Sequence, residues 1–232
     1  MRHFTLFLSF FLQLGNAWGE MPTDILKKAD EVRNPAESYL MVVEVHGKDQ
    51  SENSKFEVSI KGNTKTVVRT LEPPRDRGRN LLMLGEEMWA YLPNLKRSVR
   101  ISLNQKLSGQ AANGDISRMR WHGDYSSVLE SESLKSWTLL LTATKKGLTY
   151  DKIRAVIEKK TYKPIQAEFL TAAGKPLKKA YYENYQDFAG KLRPSQIRIE
   201  DSIRPEDRSV LTIRKMEVRN FPEALFNQNG LQ

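Results

Sequence analysis

The residues best suited to chemistry in this chain are few. Histidine occurs at positions 3, 46 and 122 only, and cysteine does not occur. A zinc site needs three or four nitrogen, sulfur or carboxylate ligands at set spacing, and His46 and His122 stand apart with no such pattern around either. Without cysteine there is no thiolate metal site, no thiol nucleophile, no disulfide framework and no cysteine for lipid attachment. Serines are plentiful, yet no Gly-x-Ser-x-Gly elbow presents one. That leaves the carboxylates of "NGD" at Asn113 to Asp115 and "GDYSS" at Gly123 to Ser127. Asp and Asn bond readily to their own neighbouring backbone, so these stretches read as caps of turns and helix starts ahead of acid-base pairs. No catalytic residue, metal or cofactor is expected from this inventory.

The elements that would position such residues are mostly strands. "PTDILKKADEVRN" predicts a short amphipathic helix with Thr23 as N-cap, an apolar stripe at Ile25, Leu26, Ala29 and Val32, and an end before Pro35. After it the pattern alternates. Tyr39, Met41, Val43 and Val45 fall on one face, then Phe56, Val58 and Ile60, a Gly62-Asn63 turn and "KTVVRTLE". "RNLLMLGEEMWAYLP" predicts a tight hairpin in which a Gly85-Glu86 turn faces Met83 to Met88 and Leu82 to Trp89. Both of its faces are apolar, which places it in the middle of the sheet with material on either side. Further strands follow, among them Ile153, Ala155 and Ile157, then Ile165, Ala167 and Phe169. The total is ten or eleven strands with no crossover helices, hence an antiparallel meander that curls on itself. Too few strands carry an apolar outer face for an outer-membrane barrel.

Residues 1–19, "MRHFTLFLSFFLQLGNAWG", have a basic start at Arg2, an apolar run and small residues at Ala17 and Gly19, the pattern of a signal peptide cleaved before Glu20. The remainder, 20–232, is expected to be one soluble, exported domain. The whole chain carries a net charge of +9, and losing the leader removes Arg2 and no acidic residue. The basic residues are spread over the polar faces of strands and lack the stripe with interleaved aromatics that nucleic-acid binding requires, so no nucleic-acid partner is expected. A basic surface facing anionic headgroups fits better.

One passage breaks the alternation, "SLNQKLSGQAANGDISRMRW" at Ser102 to Trp121, within an interruption spanning 102–130. A curled sheet cannot leave its concave apolar face in water, so the passage reads as a candidate lid or as core helices. As a lid it would turn Leu103, Leu107, Ile116, Met119 and Trp121 inward, while Gly109, Ala111, Ala112 and Gly114 allow close packing.

"LGEEMWAYLPNLKRSVRI" followed by "GQAANGDISR" and "GDYS" resembles the periplasmic LolA-like outer-membrane lipoprotein-sorting proteins, and the likeness runs from the first helix to "FPEALFNQNGL". The resemblance implies a mainly β fold with a few helices, an unclosed antiparallel half-barrel whose cavity carries acyl chains. It implies a periplasmic monomer loaded by an inner-membrane transporter with an acylated lipoprotein or lipid and unloaded to an outer-membrane acceptor. The lipid-binding wall is then expected at Met41, Val43, Val58, Ile60, Leu82, Trp89 and Tyr91. The strand arginine that latches the lid in the founding member falls at Val67, with Arg69 on the same face as the candidate latch. Methionines at 41, 83, 88, 119 and 216 suit an adaptable wall. The other readings are a carrier of a phospholipid or other acylated molecule for a different export system, an envelope interaction module without cargo, and an enzyme with an unrecognised carboxylate site.

Overall fold

A computed structural model describes residues 20–231, and the leader expected at 1–19 lies outside them. Helix α1 spans Pro22–Arg33. Pro22, whose fixed φ suits a first helical position, starts it at once, so Met21 and not Thr23 occupies the cap position. Its buried stripe is Ile25, Leu26, Ala29, Asp30 and Arg33, with Val32 only half-buried. Two charged residues therefore lie on the face expected to be apolar.

The strands form one 13-stranded antiparallel sheet. In chain order they are β1 (Ser38–His46), β2 (Ser54–Lys61), β3 (Lys65–Glu72), β4 (Leu81–Leu84), β5 (Glu87–Leu92) and β6 (Arg97–Ile101), then the small pair β7 (Lys106–Ser108) and β8 (Ala111–Ala112). Helix α2 (Asn113–Ser117) follows, then β9 (Tyr125–Glu132), β10 (Ser136–Ala143), β11 (Lys152–Glu158), β12 (Pro164–Leu170), β13 (Pro176–Phe188), β14 (Lys191–Asp201) and β15 (Arg208–Val218). The spatial order is β6-β5-β4-β3-β2-β1-β15-β14-β13-β12-β11-β10-β9. First and last strands thus pair at the centre, Tyr39 opposite Val218, and two meandering arms run outward from them. The two free edges, β6 and β9, are joined in sequence by residues 102–124. The sheet is an open half-barrel, and the odd passage of the sequence links its two edges.

Alternation along the strands sorts the concave face. Tyr39, Met41, Val43 and Val45 of β1, Phe56, Val58 and Ile60 of β2, and Ile153, Ala155 and Ile157 of β11 all enter one buried cluster with Ile25, Leu26 and Ala29 of α1. On β12 the expected set is broken: Ile157 pairs with Pro164 and Val156 with Gln166, so Ile165 is a bulge residue and points out, 46% exposed.

The β4-β5 hairpin has the expected register, Met83 opposite Met88 and Leu82 opposite Trp89, around Gly85 at φ +61°. Its position differs from expectation. It lies one strand in from the β6 edge, and its second apolar face is covered by the chain's own C-terminal turns, Glu223–Leu225 and Gln228–Leu231. Phe226 and Leu231 pack there on Val67 and Leu82 beside Trp89 and Tyr91, and Lys61 holds Glu223 at 2.7 Å.

Candidate functional site

The lid segment is built by local bonds and by glycine. Asn113 donates from Nδ2 to the Ser102 carbonyl at 2.9 Å and the Gly114 amide donates to Leu103 at 2.8 Å, which folds the segment back on itself. The Asp115 carboxylate accepts the Ala112 N–H at 2.8 Å, a helix-start role of the kind the sequence suggested. A β-carbon on Gly114 would stand 1.8 Å from Thr149 Oγ1, and one on Gly109, at φ +52°, would stand 2.1 Å from Ser209 Oγ. Small residues stand here because the lid backbone lies directly against the β10–β11 connection and β15.

Of the expected lid residues, Leu103, Ile116, Met119 and Trp121 are buried in the same cluster as the concave wall, and Leu107 packs against it half-buried. The segment contains one five-residue helix and a two-strand pair, so it is not a pair of core helices. Met41, Val43, Val58 and Ile60 line the wall beneath it. Leu82, Trp89 and Tyr91 do not. The pleat turns them to the outer face, under the C-terminal turns, and their strand neighbours Leu81, Met83, Met88 and Ala90 face inward instead. Arg69 is likewise on the outer face, partly exposed and 3.6 Å from Glu57, and makes no latch.

The lid is fastened by other groups. Asp30 of α1 accepts the Trp121 amide at 2.8 Å and the His122 amide at 2.6 Å and pairs with Arg33. The Arg33 guanidinium lies over the Trp121 ring, 3.6 Å from its centre. Arg118 donates bidentately to Asp124 at 2.6 and 2.8 Å and reaches the Gly85 carbonyl of the β4-β5 turn at 2.5 Å. Thr66, one residue before the position where the latch arginine falls, donates to the Ser117 carbonyl at 2.7 Å. Deeper in, Tyr150 donates to Asp115 at 3.0 Å, and burial pushes the Asp115 carboxyl above its ordinary value, with Lys178 nearby opposing the shift. Burial pushes the Lys178 ammonium down in turn.

Of the cavities that border the lid segment, one of about 310 Å³ lies among the polar side chains of Asp30, Asn34, Glu37, Arg120 and His122, and two smaller ones lie over the apolar wall. One, about 40 Å³, is bounded by Arg33, Arg118, Trp121, Tyr150, Tyr182 and the apolar side chains of β12 to β15. The other, about 60 Å³, lies between Phe56, Thr70, Leu81, Ile101 and Leu107. A water needs about 10–15 Å³ of such space, so each holds a few waters and neither holds an alkyl chain.

A LolA superfamily protein of Nitrosomonas europaea of known crystal structure is 33% identical, superposes with a TM-score of 0.84, and matches over 91% of this chain and 99% of its own. The chain belongs to the LolA superfamily. A family model described as an uncharacterized protein matches residues 62–232. The LolA fold is shared at lower identity by a putative outer membrane lipoprotein-sorting protein domain of Vibrio parahaemolyticus, 19% identical with a TM-score of 0.72 over 90% of this chain and 97% of that one. It is shared too by a DUF1329 family protein of Desulfovibrio piger, 20% identical with a TM-score of 0.73 over 91% and 98%. No curated protein matches the sequence.

Sequence reasoning missed the fastening residues of this LolA protein, namely Asp30, Arg33, Thr66, Arg118 and Asp124. A signal existed for two of them. Leu26, Ala29 and Arg33 recur at helical spacing, so an arginine and its neighbour Asp30 stood on the buried stripe of an amphipathic helix. A charge in that register needs a buried partner.

Proposed function

We propose that this protein is a carrier of the cell envelope, exported by its leader, that takes the acyl chains of lipoproteins or lipids under the lid and passes them from inner to outer membrane, without catalysing a reaction. One observation carries the reading: a concave apolar wall is covered by α1 and by a segment that bridges the two sheet edges and is fastened by a handful of polar bonds. The lipoprotein-sorting domain of Vibrio parahaemolyticus, which shares the fold, supports the same cargo class.

Because neither cavity over the apolar wall has room for a chain, loading in this reading lifts the lid and exchanges the contacts of Leu103, Ile116, Met119 and Trp121 for acyl contacts. A ~14-carbon chain gains on the order of 10 kcal/mol on leaving water at about 0.8 kcal/mol per methylene, but the bilayer gives it the same shelter. Carriage is then nearly neutral, and an inner-membrane donor must drive loading while an outer-membrane acceptor must draw the cargo off.

Mass spectrometry of lipids extracted from protein purified natively from the envelope tests the reading. Acylated species at near one per chain are expected, and their identity separates lipoprotein from phospholipid. Protein that emerges free of lipid and takes up none from vesicles loaded with lipopeptide refutes it.

A further inference from the structure

The cavity beside α1 contains a donor without an acceptor. Arg33 is 4% exposed. One Nη pairs with Asp30, the guanidinium lies over Trp121, and Nε has no hydrogen-bond partner among the described residues. A buried N–H left in this way is disfavoured, and a guanidinium offers its donors in a rigid plane that fixes where an acceptor must sit. Tyr182 borders the same cavity, within 5.9 Å of the guanidinium, and burial pushes its hydroxyl up to about 12, so that it keeps its proton and can also donate.

The charge around this donor decides the kind of acceptor. Arg33 is opposed by Asp30 and Arg118 by Asp124. Arg120, the third cation of the cavity, is opposed by Glu37, so each is compensated, and a phosphate or free carboxylate would enter with its own charge unmatched. A neutral carbonyl would not. Beyond the polar groups the wall turns apolar through Phe169, Ala180, Ile197 and Leu211.

Resting on the carrier reading, we propose that this cavity is the seat of the acyl linkage itself: the ester or amide carbonyl at the head of a cargo chain accepts from Arg33 Nε, and the chain runs from there along the wall of β12 to β15. The site would thereby select acylated molecules over hydrocarbons and ethers of equal length, and it would fix the depth to which a chain enters.

The test uses the full mature chain and three probes of matched length, methyl palmitate, N-methyl palmitamide and hexadecyl methyl ether, each competing with N-phenyl-1-naphthylamine. The ester and the amide are expected to bind about tenfold more tightly than the ether, as one charge-assisted hydrogen bond allows. In Arg33→Lys, which keeps the charge but neither the Nε donor nor the flat stacking on Trp121, the affinities of all three probes are expected to move together and the ratio of ester to ether affinity to fall to about one. An ester preference over the amide assigns the site to glycerol-linked chains, and the reverse assigns it to N-linked ones. A second measurement needs no variant: the carbonyl stretch of ¹³C-labelled methyl palmitate bound to the native protein should lie below its value in hexadecane. Equal binding of all three probes with an unshifted carbonyl overturns the linkage site and leaves the carrier standing. Failure of all three to displace the dye overturns both.

Discussion

Asp30→Asn should loosen the segment that covers the concave wall. In the native protein one Asp30 oxygen, Oδ2, accepts two amides of the lid, those of Trp121 and His122, at 2.8 and 2.6 Å, while the other faces Arg33. Hydrogen bonds to a charged acceptor contribute roughly 1.5–3 kcal/mol each, and since Asn keeps one acceptor oxygen the lower end applies, about 3 kcal/mol for the pair. That corresponds to roughly a hundredfold rise in the population of the open lid. Native-state hydrogen exchange reads this directly. Amides of residues 102–124 should lose about two decades of protection, and those of Ile153, Ala155 and Ile157, fully buried in β11, should lose no more than that, since global unfolding breaks the same bonds. A loss in β11 with the amides of 102–124 unchanged would mean that Asp30 supports the global fold and not this segment, and no change in either would mean that it fastens nothing.

Arg69→Ala should change stability and lid exchange by less than about 0.5 kcal/mol, because its ion pair with Glu57 is partly exposed, and denaturant unfolding with hydrogen exchange checks both. Gly114→Ala should cost roughly 1–3 kcal/mol in urea unfolding, since the added carbon meets Thr149. Burial raises the Asp115 carboxyl, so the folded state holds that proton more tightly than the unfolded one. Its favourable contribution is complete below the unfolded value of about 4 and is lost as pH rises through the folded one. Asp115→Asn should therefore gain stability relative to the native protein as pH is raised from about 4, and parallel pH profiles of the two would refute the assignment.

Most of the half-barrel was legible because period-two alternation records which face of a strand is buried, and Met41, Val43, Val58, Ile60, Ile153 and Ile157 lie where that rule puts them. The rule fails where both faces are covered. Trp89 and Tyr91 alternate with Met88 and Ala90, and no local feature says which pair meets the concave side; the answer depends on Phe226 and Leu231, more than a hundred residues away, which cover the outer one. The same distance hides the central position of β1 beside β15. Ile165 fails for a different reason, a bulge after Pro164 that shifts the register by one residue and so reverses its face.

The lid divides along the same line. Its inward residues could be chosen from hydrophobicity alone, because any apolar side chain in a segment bridging a concave apolar wall will turn toward it. Its fastenings could not, because an Asp–amide or Arg–carbonyl bond leaves no periodicity in the sequence. The two kinds of contact also differ in what opening costs them. Apolar contacts under the lid can be replaced one for one by an alkyl chain, whereas the amides of Trp121 and His122 must exchange Asp30 for water. In the proposed carrier, cargo would compensate the first loss and not the second, so the polar fastenings would set the opening cost that a donor would have to supply. A lid sealed by apolar contact alone would open to any greasy surface, and one with many more buried ion pairs would not open on the same timescale.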